Sequence, residues 1–192
     1  MDLTQSETQA ENCSLCGEIP DDLTVNTGRG EDFPTAFYKL TPVGIPCPGQ
    51  GQWVGSQFRR CPNCSTYFDW GDYPQVYGSG NCDEERLIRL SARASRLLNN
   101  LFPPDPKAPP DPGDVGEYFE ALPLDLLLRA LSSHVGTVPN IVTPFVPNLV
   151  RLLGESDDTS VRNSIRSLLG NYASSSPERA KEIEASLRGA PL

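Results

Sequence analysis

Four of the six cysteines in this sequence form two closely spaced pairs. Cys13 and Cys16 make one CxxC pair, and Cys61 and Cys64 make the other. A two-residue spacing allows both sulfurs of a tight turn to face one ion, while backbone N–H groups of the turn stabilise the thiolates. Two such turns supply four thiolates, enough for a closed tetrahedral site. We therefore predict that these four cysteines bind one structural zinc ion.

Residues beside the two pairs favour tight turns. Gly17 would permit a left-handed conformation after the first pair, and Pro62 presets the turn of the second. The segments CSLCG and FRRCPNC resemble the knuckles of zinc-ribbon and rubredoxin-like metal proteins, and the resemblance covers residues 13–70. It implies a small β module around the metal, and an all-thiolate site suits iron as well as zinc. Residues 17–60 separate the pairs, whereas common zinc sites have about 15 to 20 residues there, so we expect an inserted loop.

The remaining cysteines, Cys47 and Cys82, leave two interpretations open. Either could replace one ligand of a pair, or both could be buried thiols, since free cysteine is among the most buried residue types. A second alternative for the CxxC pairs is redox chemistry, which requires a dithiol that follows a strand and opens a helix. Neither pair lies in such a βαβ pattern, so metal binding is the preferred interpretation.

Other catalytic groups are sparse. His134 is the one histidine, and it stands at the end of an apolar segment without an identifiable nucleophile or orienting partner. The sequence contains no GxSxG, Walker, HExxH or Rossmann motif. We therefore expect a protein that is not an enzyme.

Composition and charge narrow the class of partner. The formal net charge is −9, and the part up to Cys82 has four basic and ten acidic residues, which disfavours nucleic acid and anionic membranes. The first residues lack a basic, apolar targeting segment, and apolar stretches are shorter than the roughly 20 residues of a membrane helix. We expect a cytoplasmic protein, in which thiols stay reduced.

Pattern changes along the chain predict an α+β fold: a small four-cysteine zinc-ribbon-like β module followed by a mostly helical part, as a bundle or short HEAT-like stack. The predicted parts are a mobile leader (1–12), the zinc-ribbon-like module (13–82), an amphipathic helix (83–102), a Pro-rich linker (103–113) and a helical domain (114–192). Predicted strands cover residues 36–40, 52–59 and 66–70. Predicted helices of the last part cover residues 116–122, 123–135, 144–153, 158–172 and 177–187.

One predicted helix has a family resemblance. Residues 157–172, DDTSVRNSIRSLLGNY, resemble the second half of a HEAT repeat. Asp158, the Val161-Arg162 pair, Leu168 and Gly170 occupy the matching positions, while Ile165 stands where such repeats carry a smaller residue. The resemblance implies a helical hairpin that stacks on neighbouring hairpins.

Two residue sets could form a recognition surface. A leucine stripe with three- and four-residue steps predicts the helix at residues 83–102, and four arginines would follow its flank: Arg86, Arg89, Arg93 and Arg96. They could be a solvated flank or a basic strip for an acidic partner or phosphates. Aromatic residues after the second pair could be core or could anchor a protein partner. The candidates for such anchors are Tyr67, Trp70 and Tyr73.

These patterns favour a non-enzymatic, zinc-stabilised protein-interaction module, such as an inhibitor or an immunity- or antitoxin-type adaptor. The alternatives are a zinc-ribbon regulator or accessory subunit that contacts nucleic acid, and a CxxC redox protein. The expected partner is another protein, and neither nucleic acid nor a membrane is expected.

Overall fold

A computed structural model describes five stretches of the chain: residues 13–43, 57–77, 80–102, 113–135 and 138–189. The chain divides into two compact units, Met1–Phe102 and Pro103–Leu192. The first contains an antiparallel sheet and the second is built from helices, so the predicted α+β class is confirmed. The predicted leader lies outside the described residues, as does the predicted linker apart from Gly113.

Five antiparallel strands form the sheet of the N-terminal unit. They are β1 (Asp22–Asn26), β2 (Thr41–Val43), β3 (Gln57–Arg60), β4 (Tyr67–Tyr77) and β5 (Gly80–Arg89). Their order across the sheet is β1-β5-β4-β3-β2. The turn between β3 and β4 contains Cys61 and Cys64, while Cys13 and Cys16 precede β1. The two cysteine pairs therefore lie next to different strands of the sheet.

The strand predictions for residues 52–59 and 66–70 agree with the structure where it can be compared. Residues 67–70 belong to β4, which continues to Tyr77. Residues 57–59 belong to β3, and residues 52–56 lie outside the described part of the chain. β1 and β2, which are short, were not predicted.

The predicted strand at residues 36–40 is wrong. Phe37–Lys39 forms a 3₁₀ turn instead. Ala36, Phe37 and Leu40 are all buried in the core, and their spacing fits one helical turn rather than the alternation of a strand.

The predicted helix at residues 83–102 is only half right. Its first half belongs to β5, and a helix, α1 (Ala92–Leu101), begins after Ser91. The Ser91 side chain accepts a hydrogen bond from the backbone N–H of Ala94 and so caps α1. β5 pairs with the preceding strand β4 on one side and with the distant β1 on the other, and these ladders override the local helical periodicity.

Both faces of the sheet carry buried side chains. On one face, Val25, Phe68 and Leu87 pack with residues from the segment before β2, including Ile19, Phe33 and Phe37. Cys16 and Cys61 belong to this same core. On the other face, the backbone N–H of Tyr67 donates to Ser95 Oγ of α1 at 3.0 Å. The cysteine pairs are thus built into a hydrophobic core.

The described residues of the C-terminal unit include five α-helices. They are α2 (Val115–Ala121), α3 (Leu124–His134), α4 (Val146–Glu155), α5 (Thr159–Ser174) and α6 (Pro177–Gly189). The five predicted helices are confirmed, with boundaries that shift by at most two residues. Asp114 caps α2, and the Asp158 carboxylate accepts from the backbone N–H groups of Ser160 and Val161 at the start of α5.

Apolar packing holds this unit together. Its fully buried side chains come from four helices and from the turn before α4: Tyr118, Leu127, Leu131, Phe145, Leu149, Ile165 and Tyr172. Residues 156–158 join α4 and α5 into a helical hairpin. The helical unit therefore has a core of aliphatic and aromatic side chains, and its sequence contains no cysteine.

Candidate metal centre

The two CxxC turns share one backbone pattern. In the first knuckle (residues 13–17), the N–H of Gly17 donates to the carbonyl of Cys13 at 2.9 Å. In the second knuckle (residues 61–65), the N–H of Ser65 donates to the carbonyl of Cys61 at 2.9 Å. Each turn therefore closes over five residues and directs two sulfurs to the same side, as the CxxC spacing predicts.

The left-handed residue stands in the second knuckle, not the first. Ser65 has φ of 60°, whereas Gly17 has no positive φ, so the prediction for Gly17 is wrong. The chain takes a different course after each turn, which explains the difference. The first knuckle runs into a 3₁₀ turn, Cys16–Glu18, while the second must reverse into β4. The Asn99 side chain of α1 donates to the Ser65 carbonyl at 3.1 Å and supports this conformation.

The sheet and the core bring the four sulfurs together. All four Sγ atoms lie within 4.8 Å of one another. Sγ of Cys13 is 3.7 Å from Sγ of Cys61, and Sγ of Cys16 is 3.3 Å from Sγ of Cys64. A regular tetrahedron of sulfurs about 2.3 Å from zinc has edges of about 3.8 Å, whereas a disulfide is about 2.05 Å long. The four cysteines therefore form a cluster of free thiols that could hold one metal ion.

Burial acts against the charge that metal ligands need. Burial raises the pKa of the Cys16 thiol, as do the neighbouring thiols of Cys64 and Cys13, and burial also raises the pKa of Cys61. For Cys13, burial raises the pKa as well, but hydrogen bonds from the backbone N–H groups of Cys16 and Leu15 outweigh it and lower the pKa to about 6. A divalent cation offsets the penalty of gathering four thiolates because it stabilises them directly.

Polar groups around the cluster fit thiolate ligands. Cys64 Sγ lies 3.2 Å from Thr66 Oγ1, whose hydroxyl can donate to a thiolate. Nη1 of Arg89 lies 3.6 Å from Cys16 Sγ. Soft sulfur donors with such neighbours suit zinc or iron better than magnesium or calcium. Cys47 lies outside the described residues, as does the side chain of Cys82, whose backbone pairs with Gln75 in β4.

The four predicted arginines do not form one helical strip, so that prediction is wrong. Arg86 and Arg89 lie on β5, and Arg93 and Arg96 lie in α1. Arg86 donates to both carboxylate oxygens of Asp22, at 2.9 Å and 2.5 Å. An odd separation along a strand puts Arg86 and Arg89 on opposite faces of the sheet.

The predicted aromatic anchors also separate. Tyr67 is fully buried, so it cannot anchor a partner, and burial raises its pKa to about 12. Trp70 is half-buried and donates from Nε1 to Glu85 at 2.9 Å. Tyr73 lies on β4, and its side chain lies outside what the structure describes.

An aromatic group was missed in the sequence. Tyr38 is 60 % exposed and donates a short hydrogen bond to Asp32. Behind it, the Arg59 guanidinium lies 4.4 Å from the Phe37 ring centroid and 4.6 Å from that of Trp70. The helical spacing of the buried residues around Phe37 was the signal that would have placed Tyr38 on the outside of a turn.

His134 is buried in the helical unit. Its Nδ1 lies 2.9 Å from the carbonyl of Ala130, one turn earlier in α3. The histidine therefore packs within the helical core.

The fold and the cysteine cluster define an α+β protein with a possible metal site. Comparison with models of protein families, with curated proteins and with solved structures gave no match to this chain. None of the helices in the described part combines the length and hydrophobicity that a bilayer crossing requires.

Proposed function

We propose that Cys13, Cys16, Cys61 and Cys64 bind one structural zinc ion, and that the protein is a non-enzymatic module that acts by binding another protein. The gathering of four sulfurs within 4.8 Å carries the first half of the proposal. Four protein ligands close a tetrahedral site and leave no position for substrate, which favours a structural ion. Full burial of Cys16 and Cys61 points the same way.

The spacing of the sulfurs supports metal binding over redox catalysis. Two short sulfur contacts, Cys13 with Cys61 and Cys16 with Cys64, join the two knuckles, so the four sulfurs form one cluster and not two separate dithiols. A redox CxxC dithiol instead works as a pair within one turn that opens a helix. The nucleic-acid alternative loses its main support because the arginines do not form a strip. We place the protein in the cytoplasm, where thiols stay reduced.

Elemental analysis of purified protein tests the metal. We expect one zinc per chain in the wild type and loss of zinc in Cys16→Ser and Cys61→Ser. Cys82→Ser is the matched control and should keep a full equivalent of zinc. Wild-type protein that contains neither zinc nor iron, and keeps its fold in a strong chelator, would refute the proposal. Iron in place of zinc would show as a coloured protein with thiolate-to-iron absorption.

Partner binding is supported by charge and by the surface around Tyr38. The exposed Tyr38, together with Arg59 and Trp70, gives this surface the residue types of many interface hot spots. The net charge of −9 favours a cationic or mixed-charge protein as the partner. We propose an inhibitor or an immunity- or antitoxin-type adaptor as the specific role. The α4–α5 hairpin, with Ile165 buried and Asp158 as cap, supports our proposal of a HEAT-like second part.

Affinity capture with quantitative mass spectrometry tests the interaction. We expect one stoichiometric protein partner that Tyr38→Ala weakens and that Leu187→Ala retains, since Leu187 is a comparably exposed apolar residue on α6 at 53 %. If both variants capture the partner as well as wild type does, Tyr38 is not part of the interface. If salt-sensitive nucleic acid is captured instead of a protein, the adaptor role is wrong.

A further inference from the structure

Arg89 is more deeply buried than Arg86, the other arginine on β5. Its side chain is 14 % exposed, compared with 43 % for Arg86 on the same strand. Its guanidinium lies 4.9 Å from the Phe68 ring centroid and therefore sits against the core face of the sheet. A cation in such a position needs partners, because burying an unpaired charge is costly.

Those partners are the first knuckle and the segment immediately after it. Nη2 of Arg89 donates to the carbonyl of Cys16 at 2.7 Å and to the carbonyl of Ile19 at 2.5 Å. Nη1 lies 3.6 Å from Cys16 Sγ, and Nε donates to Asp21 at 2.7 Å. One planar side chain from β5 therefore holds the backbone on both sides of the 3₁₀ turn that carries Cys16. The contact between Arg89 and Cys16 joins residues 73 positions apart in the chain.

The charge of the occupied site explains why a guanidinium belongs there. Four thiolates around a divalent ion leave an excess of two negative charges, and Cys16 and Cys61 are fully buried. The Arg89 guanidinium supplies a positive charge beside Cys16. Asp21 offsets part of that charge, but its carboxylate is 87 % exposed and is screened by water.

We propose that Arg89 is a positioning residue of the metal site, which orients Cys16 through the backbone of the first knuckle and offsets the negative charge of the thiolate cluster. This inference rests on the proposed metal binding. Outer groups of this kind typically contribute about ten- to a hundredfold to metal affinity. Arg89 thus belongs to the metal site rather than to a partner-binding surface.

Zinc affinity of the full chain, measured by competition with a chromophoric chelator, tests the proposal. Arg89→Gln removes both the positive charge and the planar set of guanidinium donors, whereas Arg89→Lys keeps only the charge. Arg86→Gln and Arg86→Lys are matched controls, because Arg86 lies on the same strand and also pairs with an aspartate, Asp22 at the start of β1. We expect about a ten- to hundredfold weaker zinc affinity for Arg89→Gln, a smaller loss for Arg89→Lys, and wild-type affinity for both controls.

Cobalt substitution supplies a readout that a purely structural role would not move. We expect Arg89→Lys to keep the absorption of tetrahedral cobalt but to shift its thiolate-to-cobalt charge-transfer band, while the Arg86 variants match wild type. If Arg89→Gln does not fold, Arg89→Lys against Arg86→Lys carries the comparison.

Zinc affinities of the Arg89 variants within twofold of their Arg86 controls would overturn the role of Arg89. Wild-type protein that binds no metal would instead refute the proposed metal site itself, so the two failures are distinguishable.

Discussion

The two units of this chain solve the problem of forming a core in different ways. In the N-terminal unit, the cysteines Cys16 and Cys61 lie among the buried core residues, beside short strands and turns. In the C-terminal unit, the helices bury leucine, isoleucine, phenylalanine and tyrosine against one another. The first core combines buried cysteines with apolar side chains, whereas the second consists mainly of apolar side chains. In the N-terminal unit, residues that we propose as metal ligands are therefore also part of the core.

Metal removal should produce the largest loss of stability, and the loss should be confined to the N-terminal unit. Structural zinc contributes apparent free energy on the order of 10 kcal/mol in small peptides, so a strong chelator should greatly weaken the N-terminal unit. Hydrogen exchange measured by mass spectrometry should show faster exchange in residues 13–43 and 57–102. Residues 138–189 should keep their protection. Equal loss of protection in both units would show that the helical core also depends on the metal.

A core truncation in the helical unit should destabilise that unit and leave the N-terminal unit intact. Leu127 is fully buried in α3, so Leu127→Ala should lower the free energy of unfolding of that unit by about 2 to 5 kcal/mol. Zinc content should stay at the wild-type level. Leu187→Ala on the exposed side of α6 is the control and should change stability by less than about 0.5 kcal/mol. Denaturant titration followed by far-UV circular dichroism, with parallel metal analysis, measures both quantities.

A helix cap should matter less than a core leucine. The Asp158 carboxylate accepts from two backbone N–H groups of α5, so Asp158→Ala should destabilise the helical unit by about 1 kcal/mol. Asp157→Ala changes an exposed aspartate one position earlier and serves as the control. Equal stability of the two variants in denaturant would show that the cap contributes nothing.

The exposed pair of Arg86 and Asp22 should give the smallest effect. The hydrogen bond from Arg86 lowers the pKa of the Asp22 carboxyl. Because the pKa is lower in the folded state, the stabilisation is present above the ordinary pKa of aspartate and is lost as pH falls through the lowered one. Asp22→Asn should therefore remove a small stabilisation at pH 7 that high salt also removes. Thermal melts at two salt concentrations check this, and a salt-independent loss would contradict it.

Local patterns predicted the C-terminal helices and the CxxC turns, although they failed for the 3₁₀ turn at Phe37–Lys39. The helices α2 to α6 follow from apolar periodicity with aspartate, proline and serine at their starts. The CxxC turns likewise form within five residues, and each closes with its own backbone hydrogen bond. For these elements the deciding contacts lie within one or two turns of the chain.

Prediction failed where distant strands compete with local preference. An apolar stripe with helical spacing begins at Leu87 and continues into α1, yet residues 83–89 pair with β1 and β4 as part of β5. Register in a sheet depends on partners that periodicity does not encode. The interpretation of Arg86 and Arg89 failed with the helix, since their faces follow from the strand.

Composition and short spacing are sufficient to predict the two CxxC pairs, the helices α2 to α6 and the acidic charge. Only the tertiary structure decided that the four sulfurs lie within 4.8 Å of one another, that Tyr67 is buried, and that Arg89 reaches Cys16. These three facts depend on the antiparallel pairing of β1, β3, β4 and β5. The pairing of β1 with β5 joins residues far apart in the chain, and the free energy of the pairings is a property of the assembled sheet and not of any one segment.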